Sequence, residues 1–393
     1  MMAKFRVAVR KFPPFESAIV KQWQSFAAAA GSDMKIEAVA FDLNPLHAAL
    51  FTNGEAAHGE WDVAFMPTDW IAAAQQDGIV ADLRPLMAAR PIPDFPTAWS
   101  PSLLGLQDFA GGFWGMPYHD GPQCLIYRTD LVDAVPRTWD EYHATARRLN
   151  DPASGRSGTI LALFPDGHNS FYDFCVQLWT RGGAPFDESG RPTLQSPVAV
   201  EALDFIRRLA ADRGAVPADV REIDSVASGL RFAEGRVALM ANWFGFAALA
   251  ETAPDSHVRG RVGIAPLPRG AAGGSVSLNV FWLLTICAGS RHRDVAWDFL
   301  RHCARPEMDK LVTTEGGIGV RRSTWSDPEV NRSVPFYHEL DGLHAVARTL
   351  PRVARLADVA HAIDEMLMEA LTTDAATADL LAHAQARIAG IVR

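Results

Sequence analysis

The chain has few cysteines, no long hydrophobic run and no block of like charges, and each shortage narrows what it can be. Only four cysteines occur in 393 residues, and Cys124, Cys175, Cys287 and Cys303 lie far apart. No pair has the spacing of a metal or redox motif, and Cys124 and Cys287 sit in apolar strand-like runs, where a thiol behaves as a small hydrophobe. All four read as reduced and structural, with a Cys287–Cys303 bridge as the open alternative. No segment reaches the ~20 consecutive apolar residues that span a bilayer. The longest candidate, residues 238–250, is interrupted by Asn242 and Gly245. The first ten residues hold neither a long apolar core nor a small-residue cleavage site, so they do not read as a secretory signal. Two expectations compete: a mature start from which a leader has been removed, or a protein that stays inside the cell. The first is favoured, because Phe5–Val9 already reads as a core strand.

Charge and catalytic motifs are equally informative by absence. A formal net charge of -9, with the two signs interspersed, lacks the basic face that phosphate contacts demand. Nucleic acid is therefore not an expected partner. There is no Gly-x-Ser-x-Gly elbow, no His-Glu-x-x-His pair and no phosphate loop of the Walker type. His119 and Asp120 are adjacent on an extended segment, where successive side chains point oppositely, which argues against an acid–base dyad. The piece Gly316-Gly-Ile-Gly319 lacks the preceding strand and the spacing of a dinucleotide fingerprint and reads as a hinge turn. An enzyme is not expected, nor a cofactor or a metal.

What remains is an ordinary globular composition, 48% hydrophobic and 21% charged. The length exceeds one comfortable core and predicts two domains. Over the first ~110 residues strands alternate with helices. Strands are expected at Phe5–Val9, Lys35–Phe41 and Trp61–Met66. Helices are expected from about Glu16 to Ala30, over Pro45–Asn53, and from near Asp69 to Gly78, with Arg10–Phe15 as a loop. This rhythm implies parallel pairing through crossovers. Further on, Thr138 followed three residues later by Glu141 predicts a capping box. Helices follow over Asn169–Arg181 and Pro197–Asp212, the latter with Leu203, Ile206, Leu209 and Ala210 on one face. Phe232–Met240 reads as a turn into a strand, Val276–Ala288 as one strand-like run, and Arg291–Ala304 as a helix. Two terminal helices carry Val359, Ile363, Leu367 and Leu371 on one face.

Five stretches, in order, resemble the extracytoplasmic solute-binding proteins of ABC transporters, in the carbohydrate-binding group. They are Trp61–Phe65 with Gly78–Leu86; Gly112–Arg128 running on to Arg137-Thr-Trp-Asp-Glu-Tyr142; Phe232–Met240; Gly263–Gly270; and Ser290–Leu300 followed by Gly316–Arg321. Each is weak alone; order and spacing together carry the resemblance over essentially the whole chain. Gly273-Gly274 matches the pair usual before the returning strand, whereas Ser275–Asn279 departs from the pattern and weakens any carry-over at Asn279. The resemblance implies an α/β, two-lobed periplasmic binding protein fold of type II, each lobe a mixed sheet flanked by helices, with hinge crossovers. The expected lobes are residues 1–116 with 276–320, and 117–275 with 321–393. It also implies a monomer outside the cytoplasm, periplasmic or extracytoplasmic, that closes on a solute and delivers it to a membrane permease. The alternatives are a binder of another polar solute, such as a polyamine or organic phosphate, and, more remotely, an enzyme or sensor on the same fold. Few clustered basic residues lower the anion version.

A sugar offers hydroxyls that need planar polar partners and C–H faces that pack on rings. Loops beyond the carboxyl ends of strands are where such groups gather in α/β sheets. That rule selects Lys11, Phe12, Phe15 and Glu16; Phe41, Asp42 and Asn44; Thr68, Asp69 and Trp70; and Tyr118, His119 and Asp120 at the first crossing. In the second half it selects Asn169, Phe171 and Tyr172, where a helix start also offers backbone N–H groups. It adds Asn242, Trp243 and Phe244, then Asn279 and Arg321. Each has a plainer reading. Asp69 reads equally as a helix N-cap, Asp42 as a turn residue, Lys11 and Glu16 as a surface pair, and Arg321 as an ion-pair residue. Trp139, Trp297 and Trp282 read as core.

Overall fold

A computed structural model describes residues 4–392. The strands of its two main sheets are β1 (Lys4–Arg10), β2 (Lys35–Phe41), β3 (Val63–Pro67), β4 (Met116–His119), β5 (Gln123–Arg128), β6 (Leu239–Trp243), β7 (Val262–Ala265) and β8 (Trp282–Ile286). The chain divides into two compact units, residues 4–121 with 280–341 and residues 122–279 with 342–392. The crossings thus follow Gly121, Asn279 and Asp341, not the positions 116, 275 and 320 read from the sequence.

The largest displacement is at the third crossing, and Asp309 explains it. Its buried carboxylate accepts from Val320 N at 2.8 Å, from Arg321 N at 3.1 Å and from the Thr324 hydroxyl at 2.5 Å. Trp325 Nε1 donates to Gly319 O at 2.8 Å. Those bonds tie residues 319–325 to the helix Pro306–Thr314 of the first unit. The Gly316–Gly319 segment is consequently not a hinge. A Cβ on Gly317 would sit 2.7 Å from the Val312 side chain, and one on Gly319 2.6 Å from Asp309 Oδ2. Glycine is there because two elements approach closely.

In the first unit the strand order is β2-β1-β3-β8-β4. β1 pairs in parallel with β2 and β3, and β8 enters antiparallel between β3 and β4. Parallel neighbours need a crossover, and Pro13–Ala30 supplies the first. It starts earlier than Glu16 because Pro13 and Pro14 occupy the first turn, where a preset φ helps and a missing N–H costs nothing. Its buried face, Phe15, Ala18, Ile19, Gln22, Trp23 and Phe26, packs onto β1, with Trp23 stacked on Phe5 at 4.4 Å. The second predicted helix begins at Leu43, and its latter part, Ala48–Thr52, widens to π geometry.

In the second unit β5 lies between β6 and β7 and pairs antiparallel with both. This three-stranded sheet is therefore antiparallel, while the first unit's sheet is mixed as expected. The capping box forms: Thr138 Oγ1 accepts from Glu141 N at 3.2 Å, and Glu141 Oε2 accepts from Thr138 N at 3.2 Å. The run Val276–Ala288 is not one strand. Ser277–Leu278 pairs with Ala347–Arg348 in the second unit, the chain crosses after Asn279, and β8 begins at Trp282. The helices Leu356–Thr372 and Thr377–Ile391 close this unit, burying Val359, Ile363 and Leu367. Cys124, Cys175, Cys287 and Cys303 are all buried, and none of them is in a disulfide.

Candidate functional site

In the first unit the candidate residues gather where β1 and β3 end. The β8 register sets Trp282 opposite Pro67 on one side and opposite His119 on the other. Phe12 lies two residues beyond the end of β1, at the N-cap position of the helix Pro13–Ala30, where its side chain makes no capping bond. These placements bring four rings together. Phe15 lies 5.0 Å from Phe12, 4.8 Å from His119 and 5.9 Å from Trp282, all edge to face, and Phe12 lies 6.2 Å from His119. Phe12, His119 and Trp282 are only partly buried, so the cluster keeps ring surface at its rim. Trp282, read as core, belongs to this cluster. The apolar run gave its strand but not the register that ends the strand there.

His119 is held in one tautomer. Its Nδ1 accepts from Ile318 N at 2.9 Å, so the ring carries its proton on Nε2 and offers a donor there. Burial brings its pKa down to about 4, against the pull of the neighbouring Asp120. Asp120 is buried and its N–H donates to Ile318 O at 3.0 Å. The polar candidates of the same unit differ in freedom. Glu16 is half-buried and Asn44 exposed, and neither side chain has a hydrogen-bond partner among the described residues. Lys11 Nζ faces Asp42 Oδ2 at 3.5 Å rather than Glu16, in an exposed pair of small energetic weight. Thr68 is buried, its hydroxyl accepting from Phe281 N at 3.3 Å. Asp69 is half-buried inside the first turn Thr68–Trp70 and is not its N-cap.

Three first-unit expectations are corrected. Tyr118 is buried and donates its hydroxyl to Gln22 Oε1 at 2.9 Å, and desolvation holds its pKa well above the ordinary value. Trp70 is buried against His47 at 4.8 Å and Phe51 at 6.1 Å, a packing position and not an open ring face. Arg321 is also buried. Its guanidinium donates to Ala304 O at 2.7 Å and Asp94 Oδ2 at 3.3 Å and lies 4.6 Å above the Trp99 ring. The plainer ion-pair reading was the right one.

In the second unit β5 and β6 set Gln123 opposite Trp243. Tyr172, from the helix Asn169–Trp179, meets the half-buried Trp243 ring edge to face at 5.7 Å. One position further along that helix, burial raises the Asp173 carboxyl to about 8, against the opposing pull of the neighbouring Gln123 side chain. Ser277 Oγ donates to Gln123 O at 2.6 Å and braces the start of β5. Sequence reasoning passed over Gln123 and Asp173. The signal was present: Asp173 is the lone charge in the apolar helix Asn169–Trp179, and an acid in such a run needs a reason.

Four other second-unit candidates are structural. Asn169 gives its amide N–H to Asp166 Oδ2 and accepts from Ser225 N at 3.1 Å. The helix start is closed to an outside anion, because Asp166 accepts from His168 N and Asn169 N at 2.9 Å each, and Asp364 accepts from Gly167 N at 2.7 Å. Asn242 donates to Ser225 O at 3.0 Å and Ser228 Oγ at 2.8 Å, and accepts from Trp243 N at 2.8 Å. Phe171 and Phe244 are core side chains. Asn279 is fully buried at the second crossing, its N–H donating to Arg348 O at 2.9 Å. Among the described residues no cluster of three metal-ligating side chains occurs, and no helix is long and apolar enough to cross a membrane.

The family model for bacterial extracellular solute-binding proteins matches residues 14–310. The chain belongs to that family. Among curated relatives of this solute-binding protein, a probable ABC transporter-binding protein of Deinococcus radiodurans is 28% identical over 63% of the chain and 61% of its own length. A mannitol-binding protein of Pseudomonas aeruginosa is 23% identical over 82% of the chain and 76% of its own. The chain spans about three fifths of the first curated relatives it matches, 61% and 58%. Among solved structures, maltose-bound MalE3 of T. maritima superposes with a TM-score of 0.89 at 24% identity, covering 99% of this chain and 100% of that one. That likeness establishes the fold: the α/β periplasmic binding protein fold expected from the sequence.

Proposed function

We propose that this solute-binding protein is the substrate-binding component of an ABC importer, taking a sugar or sugar-like polyol and presenting it to the membrane permease. Its place is periplasmic or extracytoplasmic, it works as a monomer, and it performs no chemistry on its ligand. The observation that carries the ligand class is the ring cluster of Phe12, Phe15, His119 and Trp282, three of them only partly buried, in a unit that also holds uncommitted polar groups on Glu16 and Asn44. Ring faces suit the C–H surface of a sugar, and planar polar groups suit its hydroxyls. Trp243 with Tyr172 offers the same combination in the second unit. The maltotriose- and mannitol-binding relatives support the same class.

The remaining expected contacts, Lys11, Asp42, Thr68, Asp69, Asp120 and Asn279, belong to this proposal as polar neighbours of the rings. Ligand-driven closure belongs to it as well, since a solute shifts a conformational equilibrium only by binding one state better. Thermal-shift screening with maltose, maltotriose, D-mannitol and ribitol tests the reading. A ligand that binds only the folded chain raises the melting temperature by mass action, equivalent to ~2.7 kcal/mol at a hundredfold excess over Kd. At least one of these compounds is expected to raise it and to be recovered unchanged. Trp243→Ala is expected to remove the shift while leaving the unliganded melting temperature nearly as it was, because the ring is only half-buried. A panel without a shift, or a consumed sugar, would count against the proposal.

A further inference from the structure

Gln123 and Asp173 form a polar pair that the reading above does not use. Gln123 opens β5 and is almost wholly buried, yet its Oε1 has no hydrogen-bond partner among the described residues. The vacant group is an acceptor, and the same side chain lies close enough to Asp173 to oppose the rise of its carboxyl pKa. The backbone cannot turn away to relieve it. Gln123 is locked opposite Trp243 in the sheet, and its carbonyl takes the Ser277 hydroxyl. Asp173, on the helix Asn169–Trp179, is half-buried as a residue. A buried acceptor and a desolvated carboxyl in one place are costly to the folded chain unless something donates to them. Neither the sheet register nor the helix face requires polar groups here; Phe171, Phe174 and Cys175 of the same helix are apolar and buried.

Resting on the sugar-binding reading, we propose that Gln123 and Asp173 are the hydroxyl-reading residues of the second unit. One ligand hydroxyl donates to Gln123 Oε1 and a neighbouring hydroxyl bonds the Asp173 carboxyl, while the Tyr172 and Trp243 rings meet the adjoining C–H surface. The pair therefore suits vicinal hydroxyls, as found in hexoses and alditols, and disfavours phosphates, which bring acceptor oxygens to the Gln123 acceptor and negative charge to the Asp173 carboxyl. The carboxyl's elevation to about 8 agrees with a site kept dry and without a cation at hand.

Calorimetric titration of the full chain with maltose, maltotriose, D-mannitol and ribitol provides the test, using wild type, Gln123→Leu and Asp173→Asn. Each variant is expected to bind the best of these compounds about tenfold or more weakly, the scale of one lost hydrogen bond to a buried polar group. Gln123→Leu removes both the unmatched acceptor and the polar neighbour of Asp173, so its unliganded melting temperature is measured beside wild type to show that it folds. Monodeoxy forms of the binding compound serve as the second arm on wild-type protein, where no variant can fail to fold. One deoxy position is expected to weaken binding to wild type and to have no further effect in Gln123→Leu. If wild type binds and both variants match it, a trapped water satisfies Gln123 and the inference falls alone. If none of the four compounds binds wild type, the sugar-binding reading falls and takes the inference with it.

Discussion

His119 shows how one side chain links the ring cluster to the pH response of the whole chain. Its folded pKa, near 4, lies below its ordinary value of 6.5. As pH falls through that window the unfolded chain takes up a proton that the folded chain refuses. Stability is therefore lost progressively from about 6.5 down to about 4, because the slope follows the difference in bound protons. His119→Asn keeps an acceptor at the Nδ1 position for Ile318 N–H and removes the titration, so its melting temperature is expected to fall less steeply than wild type between those limits. Parallel melting curves of the two proteins would contradict this. At this scale the sequence was partly legible. The sequence places Phe12 just beyond β1 and His119 and Trp243 near strand ends, and the structure has the latter two as the last residues of β4 and β6, because a strand end is a local signal. Tyr118, Asn242 and Arg321 were misjudged, because whether a polar group is already engaged depends on partners far along the chain: Gln22, Ser228 and Ala304.

Elements were read well where local chemistry decides them and poorly where register does. The Thr138 capping box is the clearest case, since four consecutive residues fix the start of the helix Trp139–Leu149 and the structure contains both bonds. Thr138→Ala removes one of them and loosens the reciprocal one. The expected cost is ~1 kcal/mol, typical of a lost N-cap, read as a lower urea midpoint with an unchanged slope. A midpoint equal to that of wild type would show that Trp139, packed at 5.4 Å from Tyr142 and bonded through Nε1 to Thr180 at 2.9 Å, fixes the helix without its cap. Residues 276–288 illustrate the opposite case. Their apolar character is continuous, so nothing local marks Asn279, where the chain leaves one unit for the other. The break exists because Ser277–Leu278 finds Ala347–Arg348 while β8 finds β3 and β4, pairings that span up to some 220 positions.

At the scale of the whole molecule, three crossings mean that neither unit is a continuous piece of chain. The second unit depends on residues 342–392 as much as on its sheet. Leu356, Val359, Ile363, Met366, Leu367, Leu380, Leu381 and Ile388 are all buried there. Asp364 accepts from Gly167 N at 2.7 Å and from the Ser170 hydroxyl, fastening the last helices to the start of the helix Asn169–Trp179. Arg207 donates to Ala375 O at 2.9 Å and to Thr377 Oγ1 at 3.1 Å, and Gln385 Oε1 accepts from Gln195 N at 2.8 Å. Burying a large aliphatic side chain contributes ~1.5–3 kcal/mol. Losing these eight together removes roughly 12–24 kcal/mol of such burial, comparable to or above the ~5–15 kcal/mol by which a typical domain is stable. A chain ending at Asp341 is therefore expected to retain a folded first unit, whose helices up to residue 341 are all present, and to lose the second. Limited proteolysis should trim it within residues 122–279 while sparing residues 4–121 and 280–341. Calorimetry should show a transition of correspondingly reduced enthalpy. A truncated chain that resists protease throughout would mean that the three-stranded sheet and the helices Asn169–Trp179 and Pro197–Ala211 hold without their cover. The exposed faces of Phe174, Leu203 and Ile206 make that outcome physically costly.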